Sequence, residues 1–564
     1  MIGRINAFLR QLRRAISRSE WLATLLRLPR STAPPASPGL VMVQIDGLSH
    51  TQLGNALERG EMPFLRRLVR REHYRQHRVY AGVPATTAAY QGELFYGVKA
   101  VVPGFNFRDS TSGKVVRMVE PAVAAGVERE LEESGEEPLL KEGSSYANNY
   151  TGGAAEPHFC PSSMGWGPSL RRANPLLVGL LILSNAWSFV RLIVLLLLEL
   201  ILAIQDMLRG LFGGYDLVKE LKFVPTRVAI SILLRELVTI GTKIDVARGL
   251  PVIHLNLLGY DEQAHRRGPS SLFAHWTLKG IDNAIARIWR AARRSAHRHY
   301  DVWIYSDHGQ EAVKPYLVLY GQSIEDAVSG VFSRLGMNVD LAPVPAPRGI
   351  QTQRVRQLGG HRIQRLFPVS SPAPVDAGRG QVTVAGMGPL GFVYYDRELD
   401  ASAHDAVARS LAIDAHVPLV LTRDGPERVT AWTDTGRYSL PGQKAEVLGT
   451  DHPFLEEATR ELITLCHHPD AGDFILSGWR AGATPCSFVT ENGGHGGAGP
   501  EETSAFALLP DNVSLSDTEN SSPRAADLRH AALRFLGRTG HKAAPRQKRA
   551  VPTGALRVMT YNVH

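Results

Sequence analysis

Hydrophobic runs along the chain predict short buried strands, several of which end in an acidic residue. Residues 40–45 and 302–305 are apolar, β-branched or aromatic runs that stop at Asp46-Gly47 and at Asp307-His308-Gly309. Residues 252–258 form a third run. Runs of this length, bounded by turn residues, are typical of buried strands in an open α/β sheet. Residues 271–294 between them follow a helical period, so we expect an α/β fold with a central, mostly parallel sheet flanked by helices.

The longest apolar stretch, residues 176–204, is interrupted only by Arg191, Glu199 and a Ser184-Asn185 pair. It is longer than the roughly 20 residues that span a bilayer. A single crossing would separate the candidate site residues described below, and residues 223–244 carry too many charges for a second span. We therefore expect an apolar helical insertion, embedded in a membrane as a hairpin or lying at its surface. A buried soluble helix pair is the alternative.

Residues 1–38 interleave arginines with apolar positions and end in a Pro-rich linker. This pattern predicts a basic amphipathic helix on an anionic membrane surface, with a disordered or partner-bound arm as the alternative. No apolar run followed by a small-residue cleavage site is present, so we expect no cleavable signal peptide. Together with the apolar stretch, this predicts membrane association, with lipid as a partner, at the cytoplasmic face.

Composition adds limits to this picture. A chain of 564 residues exceeds one usual core, so we expect at least two folded units. The net charge is 63 − 54 = +9, and the excess lies near the ends, so we predict no specific nucleic-acid binding. The three cysteines, Cys160, Cys466 and Cys486, have no metal-ligand or redox spacing, and we expect no disulfide framework.

Two motifs place polar side chains at predicted helix starts. In Pro84-Ala-Thr86-Thr87, a hydroxyl at a helix N-terminus would favour a bound phosphate, although capping is the common role of threonine there. Asp261 and His265 follow the strand 252–258 and lie four residues apart. On a helix both would face one cation, or they would form an ordinary polar pair.

Three further positions extend the candidate chemistry. Asp46 and Asp307-His308 end predicted strands, where Asp307 alone could also cap a helix. His495 is the one imidazole in the glycine-rich loop 492–499, where glycines permit close approach of the backbone to a ligand. Asp451-His452 lacks a preceding apolar strand and is interpreted as a helix entry.

The whole set is more specific than any of its members. Its carboxylates, imidazoles and hydroxyl suit two divalent ions about 4 Å apart, which clamp the attacking and leaving oxygens of phosphoryl transfer. Carboxylate with imidazole favours zinc, with manganese as the alternative. The set comprises Asp46, Thr87, Asp261, His265, Asp307, His308 and His495.

The order of these motifs resembles the alkaline phosphatase superfamily, most closely its nucleotide pyrophosphatase/phosphodiesterase branch, over residues 39–120, 250–320 and 485–510. The resemblance implies an alkaline phosphatase-like fold and two metal sites. Its metal ligands would be Asp261, His265 and His495 on one ion, and Asp46, Asp307 and His308 on the other. It selects Thr87 over Thr86 as the nucleophile. Asn106 falls where that branch keeps an oxyanion-stabilising Asn, slightly closer to Gly97 than the family has it.

The resemblance implies a phosphodiesterase or phosphatase that acts through a phosphothreonine intermediate, and the apolar stretch with the basic N-terminal segment predicts that it is associated with a membrane. The expected substrate is a phosphate ester, with a lipid head group or a nucleotide as candidates. The alternatives are a phosphotransferase or mutase with the same nucleophile, and a catalytically silent membrane scaffold. Sulfatase chemistry is not expected because no Cys-x-Pro-x-Arg run occurs.

The predicted organisation has the catalytic domain in pieces. Residues 39–160 and 251–320 form its halves, 161–250 the apolar insertion, 321–485 a cap region, and 486–510 the last metal-ligand loop. Residues 1–38 and 511–556 are the basic segment and a linker. Residues 557–564 resemble the first strand of an endonuclease/exonuclease/phosphatase domain, in which Asn562 would belong to the active site. The given chain ends at His564, before the rest of such a domain, so no nuclease function is expected of it.

Overall fold

The structure, a computed structural model, describes residues 18–32, 37–161, 229–342, 380–515 and 522–538, together with a few isolated positions between them. Several expectations lie outside the described residues. They concern the basic segment 1–17, most of the apolar stretch 176–204, the basic end of the predicted linker and the strand pattern 557–564. No helix in the described part of the chain is long and apolar enough to cross a bilayer.

The central sheet confirms the predicted mostly parallel α/β architecture. Its strands lie in the order β2 (Tyr74–Tyr80), β20 (Ser504–Pro510), β8 (His299–Tyr305), β1 (Pro38–Ile45), β7 (Val252–Leu257), β5 (Ser144–Tyr146) and β6 (Glu156–His158). Strand β1 pairs in parallel with β7 and β8, with Leu40 opposite Val252 and Asp301. Strand β20 runs antiparallel to both its neighbours. The three strands predicted from apolar runs are therefore adjacent at the middle of the sheet.

Helices cover both faces of this sheet. They are α1 (Arg18–Leu25), α2 (His50–Glu58), α3 (Pro63–Arg71), α4 (Thr87–Tyr96), α5 (Pro121–Ser134), a π-helical turn (Ala229–Leu234), α6 (Arg235–Arg248), α7 (Gly259–Arg267) and α8 (Leu272–Arg294). Leu40 and Met42 of β1 belong to the core on one face, and Val41 and Val43 to the core on the other. A strand that is buried on both faces has apolar residues at nearly every position, and this pattern is why β1 could be predicted from the sequence.

A second, largely antiparallel sheet arises from the predicted cap region. Its strands lie in the order β11 (Val339–Leu341), β12 (Gly380–Met387), β13 (Leu390–Tyr395), β17 (Phe474–Ser477), β14 (Leu419–Arg423), β15 (Val429–Thr433) and β16 (Gly436–Leu440). Helices α9 (Tyr316–Tyr320), α10 (Ile324–Arg334), α11 (Ala401–Ile413), α12 (Lys444–Leu448) and α13 (Leu455–Cys466) accompany it. One apolar core contains side chains of both sheets, such as Leu40 and Phe392. Helix α13 also confirms that Asp451-His452 is a helix entry.

Three short pairings complete the described strands. They are β3 (Asn106–Arg108) with β4 (Val115–Arg117), β10 (Lys314–Pro315) with β18 (Cys486–Ser487), and β9 (Glu311–Ala312) with β19 (Gly493–Gly494). The last two join the chain that follows β8 to the chain that leaves the second sheet. These pairings carry the segment around His495 back to the end of β8.

Helix α14 (Ala525–Phe535) lies within the predicted linker, yet it packs on the central domain. Leu528 and Ala532 are buried with α4 in the same core. Arg529 is also buried, and its guanidinium donates to Phe95 O at 2.7 Å and to Glu137 O at 2.6 Å. The sequence around this short amphipathic helix is polar, and the residues that it packs against lie roughly 400 residues earlier in the chain. The sequence pattern therefore did not predict the helix.

Two other helices, α1 and α6, pack against the folded core, although the sequence analysis predicted both outside the catalytic domain. Helix α6 falls in the predicted insertion, and it packs against α8 and β7. Helix α1 falls in the predicted basic segment, where Leu22 and Leu26 pack against Ile240 and Ile244 of α6. Residues 18–28 therefore contact the folded core.

Candidate active site

Adjacent parallel strands bring the first acidic and imidazole groups together. Gln44 of β1 lies opposite Tyr305 of β8, so the residues that follow each strand meet at one edge of the sheet. Asp46, Asp307 and His308 are all buried there. Gly47 has a φ of 71°, and a Cβ at this position would lie 2.6 Å from Asp261 Oδ1. Glycine is therefore required where the turn after β1 passes the third acidic group.

The structure separates the capping threonine from the candidate nucleophile. Thr86 is the N-cap of α4, and its hydroxyl accepts a hydrogen bond from Ala89 N at 3.3 Å. The hydroxyl of Thr87, the first helical residue, lies 3.4 Å from Asp46 Oδ1 and 3.3 Å from His308 Nε2. The capping alternative thus applies to Thr86, and Thr87 faces the candidate metal ligands.

Helix α7 and the glycine-rich loop supply the other side of the site. His265, one turn after Asp261, has its Nε2 3.4 Å from Asp261 Oδ1. His495 has its Nε2 3.9 Å from the same oxygen. The rings of His495 and His308 stack with centroids 3.8 Å apart, which joins the two halves of the site.

Two groups of ligand atoms are close enough to hold a metal ion. One ligand atom from each of Asp46, Asp307 and His308 lies within 4.8 Å of the others, and Asp261, His308 and His495 meet the same condition. The first group is the one that the resemblance assigned to a single ion. The second contains His308 where the resemblance has His265, while His265 remains against Asp261. The division of the ligands between two ions therefore stays a prediction.

The three imidazoles are oriented in the same way. Nδ1 of His308 donates to Gly309 O at 2.9 Å, and Nδ1 of His495 donates to Ala85 O at 2.8 Å. Nδ1 of His265 lies 2.8 Å from Glu491 Oε2 and 3.0 Å from Gly493 O. A carbonyl oxygen only accepts, so in the neutral rings Nε2 is left as the unprotonated atom that faces the carboxylates. Metal-binding histidines are commonly held by this arrangement, and the donor set fits divalent ions such as zinc.

Three polar residues that support the ligands were not found from the sequence. Gln310 Nε2 donates to Asp261 Oδ1 at 2.6 Å, and Asn256 Nδ2 donates to Asp46 Oδ2 at 2.8 Å. Glu491 accepts from His265 and, through Oε1, from Ser487 Oγ at 2.7 Å. No sequence signal marks Glu491 because its contact with His265 joins positions 226 apart. Gln310 and Asn256 lie near strand ends, and this position is the one sequence feature that could have indicated a role beside the ligands.

Burial and charge shift several ionisation equilibria at the site. Burial raises the pKa of Asp307 to about 6, with the nearby Asp261 carboxylate acting in the same direction. Burial lowers the pKa of His495 to about 3, helped by His308. Burial alone would lower the pKa of His265, but the carboxylates of Asp261 and Glu491 outweigh it and raise that pKa to about 10. Negative charge thus dominates the side of the site around Asp261, which favours a cation there.

Asn106 lies on β3, where its Nδ2 donates to Gly386 O of the second sheet at 3.5 Å. Its Oδ1 is buried and has no hydrogen-bond partner. The described residues that line the cleft beside Thr87 do not include Asn106. Its contact with a phosphoryl oxygen therefore stays a prediction.

The chain is similar to a known family over part of its length and to solved structures at low identity. Among solved structures, a phosphonoacetate hydrolase from Sinorhizobium meliloti 1021 in complex with phosphonoacetate has a TM-score of 0.42 at 13% identity, covering 90% of this chain and 97% of that chain. Its complex with phosphonoformate has a TM-score of 0.40 with the same identity and coverage. No curated protein matches the chain. Residues 243–334, which carry Asp261, His265, Asp307 and His308, match the family described as type I phosphodiesterase / nucleotide pyrophosphatase, and this confirms the resemblance that the motifs predicted.

Proposed function

We propose that the protein is a membrane-associated phosphoric ester hydrolase, a phosphodiesterase or phosphatase that uses two metal ions and Thr87 as its nucleophile. One observation carries the proposal. The Thr87 hydroxyl lies 3.4 Å from Asp46 Oδ1 and 3.3 Å from His308 Nε2, among ligands drawn from four separate segments of the chain. Neither helix capping nor packing explains why the Thr87 hydroxyl lies among so many carboxylates and imidazoles.

The metal ions would be held by Asp46, Asp307 and His308 on one side and by Asp261, His265 and His495 on the other. Two divalent ions bound there supply Lewis acidity, which favours the alkoxide form of a hydroxyl and offsets charge on phosphoryl oxygens. Zinc suits this mixture of carboxylate and imidazole, with manganese as the alternative.

The chain's own residues account for positioning and proton transfer. Thr87 stands at the start of α4, where helix N–H groups favour the negative charge of a phosphoryl group. As the Oγ1–phosphorus bond forms, the bond from phosphorus to the leaving oxygen breaks; the hydroxyl proton passes to Asp46 Oδ1, and the leaving alkoxide takes a proton from water. Water then attacks the phosphothreonine and breaks the Oγ1–phosphorus bond, and Thr87 regains its proton from Asp46. Asn106 is the proposed donor to a phosphoryl oxygen.

Location at a membrane is supported by the apolar stretch 176–204. Its described residues Val190, Ile193, Val194 and Leu197 are helical and expose about half of each side chain or more, from 49% to 60%. Their spacing places them on one helical face. A lipid bilayer at the cytoplasmic face is the proposed surrounding, and a phosphate ester of a lipid or nucleotide is the proposed class of substrate.

Replacement of Thr87 tests the mechanism directly. We expect Thr87→Ala to lose about 10³-fold or more in hydrolysis of a p-nitrophenyl phosphodiester, whereas Thr87→Ser keeps a hydroxyl and retains part of the activity. Chelation should abolish activity, and Zn²⁺ or Mn²⁺ should restore it. Rapid quench followed by mass spectrometry should find phosphate on Thr87.

The matched control is Thr111→Ala, in an exposed turn, which should leave the rate unchanged. Wild-type hydrolysis by Thr87→Ala would refute the proposed nucleophile. Product phosphate on an added alcohol instead of water would support phosphotransfer in place of hydrolysis.

A further inference from the structure

Both ends of the predicted apolar insertion lie at the carboxyl edge of the central sheet, the edge at which β1 reaches Asp46. Strand β6 is parallel to β5, which is parallel to β7, which is parallel to β1, so β6 ends at this edge. Phe159 and Pro161 follow β6 there. On the far side of the insertion, the π-helical turn Ala229–Leu234 precedes α6, which leads back to the start of β7 at the opposite, amino edge. The insertion therefore leaves and rejoins the fold at the edge that carries the candidate site.

Residues at both of these ends form part of the cleft beside the candidate nucleophile. Phe159 and Pro161 line the cleft before the insertion, Leu234 lines it after the insertion, and Thr87 lines the same cleft. Phe159 and Leu234 are only 3% and 5% exposed, so they are packed into the wall. The segment that contains the apolar stretch 176–204 is thus attached to the fold next to Thr87.

An exposed apolar side chain lies at the same edge. Helix α8 follows α7 from the carboxyl end of β7 and ends at Arg294, shortly before β8 begins, so its first residue, Leu272, lies at the carboxyl edge. Leu272 is 83% exposed. Beside it, the guanidinium carbon of Arg267 lies 3.8 Å from the ring centroid of Phe273. Leucine and phenylalanine next to arginine are typical of protein surfaces that lie in a membrane interface.

The amino edge of the sheet is basic. Arg70 and Arg71 at the end of α3, and Arg290 and Arg294 at the end of α8, are exposed near the starts of β2 and β8. Their charges would attract anionic lipid, so this edge is the alternative contact with a membrane. The carboxyl edge is favoured because burial of a long apolar stretch in a bilayer outweighs the attraction of exposed charges, which salt screens.

We infer that the carboxyl edge faces the bilayer and that the substrate is a membrane lipid, a phosphate ester whose hydrocarbon remains in the bilayer while its phosphorus reaches Thr87. The inference rests on the proposed function. It selects an amphiphilic ester over a soluble nucleotide, because an ester that is held in the bilayer is concentrated at the edge where the cleft lies.

The orientation is tested with the full chain in phosphatidylcholine/phosphatidylserine vesicles whose lipid head groups carry a nitroxide quencher. Leu272→Cys takes a fluorophore at the carboxyl edge, and His299→Cys takes it at an exposed position of the amino edge. The natural cysteines are buried, so the introduced thiol is the one that reacts. Because α8 spans about 33 Å between the edges, we expect quenching of the Leu272→Cys probe to exceed that of the His299→Cys probe by about threefold or more.

Equal quenching of the two probes would overturn the inference. Stronger quenching of the His299→Cys probe would assign the membrane to the basic amino edge, and it would overturn the inference as well. Neither result depends on hydrolysis.

The substrate class is tested with three esters that share one leaving group. They are p-nitrophenyl hexadecyl phosphate held in phosphatidylcholine vesicles, p-nitrophenyl butyl phosphate in solution, and p-nitrophenyl thymidine 5′-phosphate in solution. Release of p-nitrophenolate by the metal-loaded full chain is measured at equal total ester concentration, with the same vesicles in every assay. We expect the hexadecyl ester to react about tenfold faster or more than either soluble ester, because enzyme and ester then share one surface.

Leu272→Asp introduces a charge that would lose hydration at the bilayer, and it should lower the ratio of hexadecyl to butyl rates by about threefold or more. The butyl rate is measured on the same preparation, so the ratio does not depend on the folded fraction. The matched control is Val69→Asp, the same change at an exposed apolar position of α3 near the amino edge, which should leave the ratio unchanged.

The kinetic outcomes separate this inference from the proposed function. Equal rates for the hexadecyl and butyl esters, or preference for the thymidine ester, would overturn the inference and leave the hydrolase proposal standing. A Leu272→Asp ratio equal to that of Val69→Asp would also overturn the inference alone. Failure of the metal-loaded chain to hydrolyse any of the three esters would overturn the proposed function, and the inference with it.

Discussion

At the scale of single residues, the candidate site is organised by the partners of its ligands as much as by the ligands themselves. His265 faces Asp261 through Nε2 because Nδ1 is held by Glu491 and Gly493 O. Glu491 is itself held by Ser487. A carboxylate behind an imidazole fixes the ring's orientation and raises its basicity, both of which strengthen metal binding. We therefore assign Glu491 a positioning role.

This role predicts a change in metal affinity. Glu491→Gln keeps the shape of the side chain but weakens its acceptor, and we expect zinc affinity to fall by about 10–100-fold. Competition with a chromogenic chelator measures that affinity without reference to catalysis.

Glu133→Gln, at an exposed position of α5, is the matched control and should bind zinc as the wild type does. Unchanged zinc affinity in Glu491→Gln would show that the Glu491 contact is merely structural.

Residue types and spacing were enough to predict which ligands gather. Asp46, Asp307 and His308 meet because parallel strands end at one edge, and this follows from sequence. Thr86 caps the helix and Thr87 faces the candidate ligands, whereas the residues alone allowed either to be the cap. Asn256, Gln310 and Glu491 could not be assigned, because an amide or carboxylate beside a turn has no distinguishing pattern until the fold supplies its partner.

At the scale of elements, the loop that presents His495 is fastened by two buried carboxyl groups. Glu502 accepts from Gly497 N at 2.8 Å and from Gly499 N at 2.7 Å. Glu311, at the start of β9, accepts from Glu501 N at 2.7 Å. Burial raises the pKa of Glu502 to about 8, and the negative charge of the nearby Glu311 acts in the same direction. Burial also raises the pKa of Glu311 to about 7, with a smaller contribution from the charge of Glu501.

These shifts predict how stability depends on pH. The folded chain retains protons that the unfolded chain releases near pH 4.5, so stability conferred by them is present in acid and is lost as pH rises toward 7–8. The slope is at most about 1.4 kcal/mol per pH unit for each proton. Glu311→Gln, which cannot ionise, should flatten the fall in unfolding free energy measured by urea titration from pH 5 to 8.

Glu427→Gln changes a carboxylate in an exposed turn and should keep the wild-type slope. If Glu311→Gln also keeps that slope, the carboxyl pair ionises normally and the loop is held in another way.

Elements with strong periodicity were predicted, and those that depend on distant partners were not. The helix predicted over 271–294 is α8, which Ser271 caps. Helix α14 was hidden in a polar segment because its buried face is completed only by α4. Strands β5 and β6, three residues each, are too short for a period to be seen.

At the scale of the whole molecule, a doubly covered sheet and a second antiparallel sheet share one apolar core. Sequence predicted the class of the first sheet because its central strands are continuous apolar runs. The strands of the second sheet are mostly short and antiparallel, they lie among loops and helices, and the sheet was predicted only as a cap region. The hydrogen bond from Asn106 of β3 to Gly386 of this sheet depends on packing that no local pattern encodes.

The proposed membrane association is tested on the intact protein. Replacement of residues 176–204 by a flexible Gly/Ser linker removes the apolar stretch, and we expect the chain to move from the membrane pellet to the supernatant. Hydrolysis of a soluble phosphodiester should persist, because the described ligands lie outside this stretch.

The Thr87→Ala protein, with the stretch intact, should remain in the pellet and serves as the control. Recovery of the unaltered chain in a detergent-free supernatant would rule out the membrane location.

The ligands are dispersed from Asp46 to His495, and β20, which follows the last of them, fills the gap between β2 and β8. A ribosome must therefore translate the message through the codons of β20 before any nascent polypeptide can assemble the proposed ligand set on a complete sheet. Products that terminate before His495 lack one of the proposed ligands, so we expect them not to hydrolyse phosphate esters.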